Sequence, residues 1–227
     1  MLSVIPESVE LGSHVVIEKG VTIGENVVIG HHTTILQGTK IADDVVIGNS
    51  CVLGIKPAVN KRMRKISQEN VSLIIQSGTR IGNLASVYSG THIDKNVFIG
   101  DHASIRENVL IGEGTVVGRA AIVELNSKIG KNCTIQTLAY VTGDTTLEDD
   151  VFIGPCVSMS NDKYMGTKPY SLKGAYIEKG VKIGNNASLL PGIKIGRNTI
   201  VGAGSVVTKD LEENITVVGV PARKINS

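Results

Sequence analysis

An aliphatic side chain returns every sixth residue of this chain, and few folds can use such a pattern. The series runs Ile5, Leu11, Ile17, Ile23, Ile29, Ile35, Ile41, Ile47, Leu53; it resumes at Ile75 and keeps phase to Ile153, then returns from Ile177 to Val207. Two positions before each aliphatic residue sits a small or β-branched one, as at Ala85, Thr91, Val97, Ala103 and Cys133. Short internal repeats of fixed period mark solenoids, in which each unit buries its apolar face only by stacking on its neighbours. Each hexad reads as a short strand and a turn. The residue after the aliphatic one is often Gly (Gly24, Gly30, Gly48, Gly82, Gly100, Gly112), and this reading assigns those glycines to corners that need a positive φ. Three hexads close one triangular coil, giving an all-β parallel β-helix of about nine coils and roughly 40 Å at the usual strand spacing.

Composition agrees with a rod built from small units. The 227 residues include 26 Gly against 2 Phe, 5 Tyr and no Trp, so the core must be aliphatic. Formal net charge is +2, far from the basic excess of a nucleic-acid binder. No stretch approaches the roughly 20 apolar residues of a membrane span, and the opening MLSVIPESVELGS lacks the pattern of a secretory leader. Cys51, Cys133 and Cys156 form no CxxC pair, which fits a reducing compartment. The expectations are a cytoplasmic protein without disulfides, with no nucleic-acid or membrane partner, and with Cys51 and Cys133 packed inward as small apolar residues.

The pattern breaks twice within a single domain, 1–227. Between Leu53 and Ile75 the spacing is not a multiple of six, so a basic insertion at about 55–74 must leave the coil; it carries Lys56, Lys61, Arg62, Arg64 and Lys65. A second loop at about 160–176 supplies no inward aliphatics, and a tail follows from about 209 to 227. Long loops on a rigid scaffold commonly carry function.

Tandem hexads of the form [LIV]-[GAED]-X-X-[small]-X, over about four fifths of the chain, resemble the left-handed β-helix of the hexapeptide-repeat acyltransferase superfamily. The stretch from Ile177 through VVGVPA is similar to the closing coils and tail of coenzyme-A-dependent members, and SNDKY with its Pro-containing loop resembles nucleotide-linked amino-sugar N-acyltransferases. The resemblance implies a left-handed coil, a homotrimer with sites in clefts between prisms, acyl-coenzyme A as co-substrate rather than a resident cofactor, and a nucleotide-linked amino sugar as acceptor. It carries coenzyme-A contacts over to Ala203, Gly204, Lys209, Pro221 and Arg223. Outward Phe98, Val116 and Phe152, spaced by multiples of eighteen, form an apolar strip that an oligomer would cover.

Many relatives in that superfamily use a histidine base, yet the histidines here are His14, His31, His32, His92 and His102, and the segment around Asn161 has none. A hydroxyl acceptor depends on a base for a factor of about 10²–10⁴. An amine with a pKa near 8 is substantially neutral and nucleophilic without one. The sequence therefore favours N-acylation over O-acylation, and the resemblance implies direct attack by the amine of a dTDP-linked amino-dideoxysugar, with a 4-amino group preferred over a 3-amino group. Corners where Gly is replaced point to the acceptor: Tyr88, Arg106, Glu124, Thr142 and Ser160 form one column, Ser89, Glu107 and Asn161 belong to the next, and Asp94 stands where Gly would follow Ile93. Asp94, Glu107, His92 and Asn161 are the candidate catalytic set, while Arg62, Arg64, Tyr88 and Arg106 are candidate substrate contacts, the arginines for a diphosphate. Ordinary solvated corner residues would look the same. The rival readings are O-acetylation of a sugar or serine hydroxyl and a non-catalytic scaffold. No metal site is expected, since His92 and His102 are ten apart and do not share a column.

Overall fold

The computed structural model describes residues 5–58, 60, 61, 64 and 72–225. Its strands are two-residue pieces with few exceptions, beginning β1 (Glu10–Leu11), β2 (Val16–Ile17) and β3 (Thr22–Ile23), and each starts one of three faces. Among the described residues the first face holds 12 strands, the second 10 and the third 9, and strands adjacent on a face are almost always three apart in chain order. This is the all-β parallel β-helix that the period of six anticipates. No helix among the described residues is long and apolar enough to cross a membrane.

Backbone hydrogen bonds run from coil to coil, as where the Val28 N–H donates to the Val45 carbonyl at 2.9 Å. Register holds at eighteen residues where no insertion intervenes, Phe98 against Val116 and Val116 against Thr134. Inside, each coil contributes three aliphatic residues such as Ile93, Ile99 and Ile105, all with no exposed surface. Between them lie the small residues, whose hydroxyls bond into the next coil: Thr79 donates to the Asp94 carbonyl, Thr91 to Arg106 and Thr115 to Gly130 at 2.6–2.9 Å. Cys51 and Cys133 occupy the same slot, their thiols 3.0 and 3.1 Å from the carbonyls of Gly82 and Glu148. They are buried as expected, whereas Cys156 is exposed at a corner.

Three details differ from the sequence reading. The rod has about eleven turns rather than nine: the hexads up to Val207 already fill almost ten, and the chain adds a further coil beyond Val207. There Leu211 bridges to Ile195 at a spacing of sixteen, which breaks the count by six, and Thr216–Val218 pairs with Ile200 and Val201. The tail then turns back as Arg223–Lys224, antiparallel to Thr216–Val218, so it is ordered structure capping the first face. Finally, the corner glycines Gly24, Gly30, Gly48, Gly82, Gly100 and Gly112 do not have positive φ, although Gly54 after Leu53 does, at 88°. A Cβ on Gly100 would lie 2.6 Å from the Arg119 nitrogen of the next coil, so close approach of backbones is what demands glycine there. Positive φ falls at the residue three beyond the aliphatic one, as at Asn26, Asn96 and Asn108.

Candidate functional site

Both excursions leave the rod at one edge, the corner between the second and third faces. The first departs after Val52–Ile55 and returns at Ile74–Ile75; the second departs after Ser158–Met159 and returns at Tyr176–Ile177. The coils between these two exits carry Tyr88, Arg106, Glu124 and Thr142 at the position where other corners place glycine. Side chains therefore project along this edge with a loop at either end.

The guanidinium of Arg106 is the centre of the cluster. Its Nε and Nη2 donate to the two oxygens of Glu107 at 2.8 and 3.1 Å, Nη1 lies 3.8 Å from Glu124, and its carbon sits 4.7 Å from the Tyr88 ring centroid. The Arg106 carbonyl is itself fixed by the buried Thr91 hydroxyl at 2.6 Å. Hydrogen bonding to Glu107 raises the Arg106 pKa above its ordinary value, with burial opposing. Glu107 is only 2% exposed, so its carboxylate serves to hold Arg106 in one geometry. Burial, then the nearby Glu124 carboxylate, raises the Tyr140 phenol. Along the same edge Asn108, Asn126 and Asp144 form a ladder of side-chain hydrogen bonds at 3.3 and 3.1 Å, and Arg64 of the basic insertion pairs with Asp144.

Thus Arg64, Tyr88, Arg106 and Glu107 lie on one edge. Arg62 lies outside the described residues. Asn161 is on this edge too, three coils beyond Glu107 or roughly 14 Å, where its carbonyl accepts from the Lys173 amide at 2.9 Å and closes the second loop. That loop is built on itself: Asp162 accepts from the Tyr164 and Gly166 amides, and the Tyr164 ring meets Tyr170 edge-on at 5.4 Å. His92 and Asp94 are not with them. His92 lies on the third face, and Asp94 is at its far corner, capping its own turn by accepting from the Lys95 amide at 2.8 Å. Tyr140 and Asp144 join the cluster without having been singled out by sequence, and Glu124, though in the Gly-replaced column, was not among the candidate site residues, because an acid at a corner is an ordinary residue of such repeats. The only signal was the absence of glycine from this column.

The residues carried over for coenzyme A divide between two places. Ala203 and Gly204 are exposed at the edge between the first and second faces, Gly204 at φ 67°. Lys209 and Arg223 line one cavity of about 290 Å³ with Ala222 and Lys224, whereas Pro221 does not line it. A second cavity of about 250 Å³ lies between the loop residues Ser160, Asp162 and Met165 and the corners Leu190, Pro191 and Thr208. Among the described residues no group of three or more His, Cys, Asp or Glu side chains is placed to hold a metal ion.

A family model described as bacterial transferase hexapeptide (six repeats) matches residues 2–37, 20–54 and 174–209. These stretches, well under half of the chain, are similar to that family. The chain is 42% identical over 57 residues to a galactoside O-acetyltransferase of Lactococcus lactis subsp. lactis, a match over 24% of this chain and 28% of that one. It is 41% identical over 49 residues to the galactoside O-acetyltransferase of Escherichia coli, over 22% and 24% of the two chains. The match thus spans about a quarter of the length of these curated relatives. Among solved structures, WeeI from Acinetobacter baumannii AYE aligns with TM-score 0.50 and 20% identity over 77% of this chain and 100% of that one, a likeness of fold. The left hand of the coil is the one that hexapeptide repeats imply.

Proposed function

We propose that this hexapeptide-repeat chain is an acyltransferase that moves an acetyl or similar short acyl group from coenzyme A to the amine of a nucleotide-linked amino-dideoxysugar. The nucleotide in this reading is dTDP and the amine is at C4. The observation that carries it is the Arg106-centred cluster on an edge bracketed by two loops and free of histidine among the described residues. His14, His32 and His102 are at left-handed corners of another edge with His31 beside His14 and His32, and His92 is on the third face. Arg106 and Arg64 offer donors to a diphosphate. Glu124 and Asp144 offer carboxylates to a sugar amine or hydroxyl, and Tyr88 and Tyr140 offer faces to the ring. In this arrangement Glu107 is a positioning residue, Asn161 fixes the base of the second loop, and Asp94 and His92 stand outside the acceptor site.

The step needs no base from the protein. The amine nitrogen attacks the thioester carbonyl, forming the amide bond; the carbon–sulfur bond breaks, and the departing sulfur takes the proton that nitrogen loses. The chain's contribution is to hold donor and acceptor in line, which alone is worth several kcal/mol of barrier. Ala203, Gly204, Lys209, Pro221 and Arg223 hold coenzyme A at the C-terminal coils. The active assembly is a homotrimer with the apolar strip Phe98, Val116 and Phe152 covered, and it works in the cytoplasm.

O-acetylation is the second reading, favoured by the match to galactoside O-acetyltransferases. The two are separated by the product: purified chain, acetyl-coenzyme A and a dTDP-linked 4-amino sugar should yield an acetylated sugar that survives mild alkali as an amide. A product cleaved by mild alkali is an ester and overturns N-acylation.

A further inference from the structure

We propose that the cavity beside the second loop is an acyl pocket, and that the group this chain transfers best is an unbranched acyl chain of about four to six carbons rather than acetyl. The inference rests on the acyltransferase reading above and specifies its donor. The cavity, about 250 Å³, is lined at one end by Ser160, which stands in the polar column of Arg106 and Glu124. Beyond Ser160 the column changes character: the next two coils place Leu190 and Thr208 there, with Pro191 following Leu190. Leu190 is 41% exposed and Met165 of the loop 86%, and both line the cavity together with Pro191 and the nearly buried Ile193. The coil itself does not require apolar groups at these corners, since the same column carries Tyr88, Arg106, Glu124 and Thr142 on earlier coils.

The loop wall of this cavity is set before a ligand arrives. Asp162 gives its two carboxylate oxygens to the Tyr164 and Gly166 amides, the Thr167 hydroxyl donates to the Tyr164 carbonyl at 2.6 Å, and the Lys168 ammonium sits 3.9 Å from the Tyr164 ring centroid. With Asp162 so engaged, the cavity offers a ligand little beyond the Lys163 ammonium and the hydroxyls of Ser160 and Thr208, and Ser160 already donates to the Leu189 carbonyl at 3.2 Å. A sugar would leave most of its hydroxyls unpaired there. The arginine proposed for the diphosphate, Arg106, lies three coils toward the N-terminus, so the part of the two substrates that suits an apolar wall is the acyl chain. From the Ser160 corner to the Thr208 corner is two coil spacings, roughly 10 Å. A zigzag chain advances about 1.2 Å per bond, as extended polypeptide does, so about six carbons fit between those corners and a chain of about twelve overruns them. The methyl of an acetyl group would leave the wall wet, while the unbranched thioether of Met165 can follow a longer chain. The bonds made and broken are those of the amide-forming step above; only the group carried on the thioester carbonyl differs.

The test measures thiol release from acetyl-, butyryl-, hexanoyl- and dodecanoyl-coenzyme A, with a dTDP-linked 4-amino dideoxysugar and a galactoside as parallel acceptors, for the full chain, Leu190→Trp and Leu190→Ala. Each buried methylene is worth about fourfold, so kcat/KM of the parent should rise about fifteenfold from acetyl to butyryl and fall again at dodecanoyl. Leu190→Trp fills the cavity at a position whose column already accepts Tyr and Arg, and should bring the ratio of butyryl to acetyl down to about one. Leu190→Ala should move the optimum to a longer chain, a gain that misfolding cannot imitate. A parent that prefers acetyl overturns the pocket and leaves the acyltransferase standing. A Leu190→Trp variant that loses the same factor with every thioester also overturns it, and gives the cavity to the pantetheine arm that all of them share. Silence with every thioester and both acceptors overturns the acyltransferase reading and the pocket with it.

Discussion

Arg106 forks both oxygens of its sequence neighbour Glu107, and does so with the carboxylate 2% exposed and the guanidinium still reaching the surface. A buried carboxylate with a single strong partner makes that partner indispensable. Replacing Arg106 by Met should therefore cost about 3 kcal/mol, since it strands a buried charge. Glu107→Gln, which keeps shape and one acceptor, should cost about 1 kcal/mol. Urea midpoints of the two variants check the order. Equal losses would mean that the pair contributes only through packing.

The same pair separates positioning from chemistry. In the Glu107→Gln variant the freed Arg106 should raise KM for the nucleotide sugar about tenfold with kcat changed less, because ground-state binding is what the fork preserves. Asp94→Asn, at the far corner of the third face, should stay within about twofold of the parent. A large fall in turnover for Asp94→Asn, with Glu107→Gln unaffected, would move the acceptor to the other edge.

Stability should fall in alkali through the buried thiols, since burial raises Cys51 as well as Cys133. Burial pushes the Cys133 thiol from 9.0 up to about 11, so its contribution is whole below pH 9 and is lost as pH rises through about 11. Two pKa units correspond to about 3 kcal/mol. Cys133→Thr, which places in this slot the residue found at Thr79, Thr91 and Thr115, should flatten the decline measured by urea unfolding between pH about 8 and about 10.5. An unchanged decline would assign it to other groups.

Gly100 has no positive φ, and its need for glycine comes from the next coil 2.6 Å from a Cβ. Gly100→Ala should therefore destabilise by about 2 kcal/mol, as a backbone shift must open the stack. Thermal unfolding reads the effect; a neutral or stabilising result would show that coils separate freely.

The fold was legible because side-chain period and backbone period coincide: every sixth residue must face the axis, and the faces follow. The extra coil was hidden where the count by six fails, with Leu211 meeting Ile195 at sixteen rather than eighteen residues. The candidate site was half legible. Columns eighteen apart brought Tyr88 and Arg106 together correctly, since stacking preserves register. Glu124 and Asp144 were passed over because an acid that binds a guanidinium and an acid that faces water satisfy the hexad equally well. Arg64 reaches Asp144 from 80 residues away, and no local pattern encodes where an insertion folds back. That Leu84 and Leu138 stand at left-handed corners was readable only once φ was known.

Free-thiol release from acetyl-coenzyme A, followed against pH with dTDP-linked 4-amino and 3-amino dideoxysugars and hydroxyl acceptors in parallel, decides between base-free N-acylation and its rival. We expect turnover with one amino sugar alone, rising with a single ionisation near pH 8, about the pKa of an amine. Turnover with a hydroxyl acceptor and none with either amine, governed by an ionisation near about 6.5 as a histidine base would give, would contradict it.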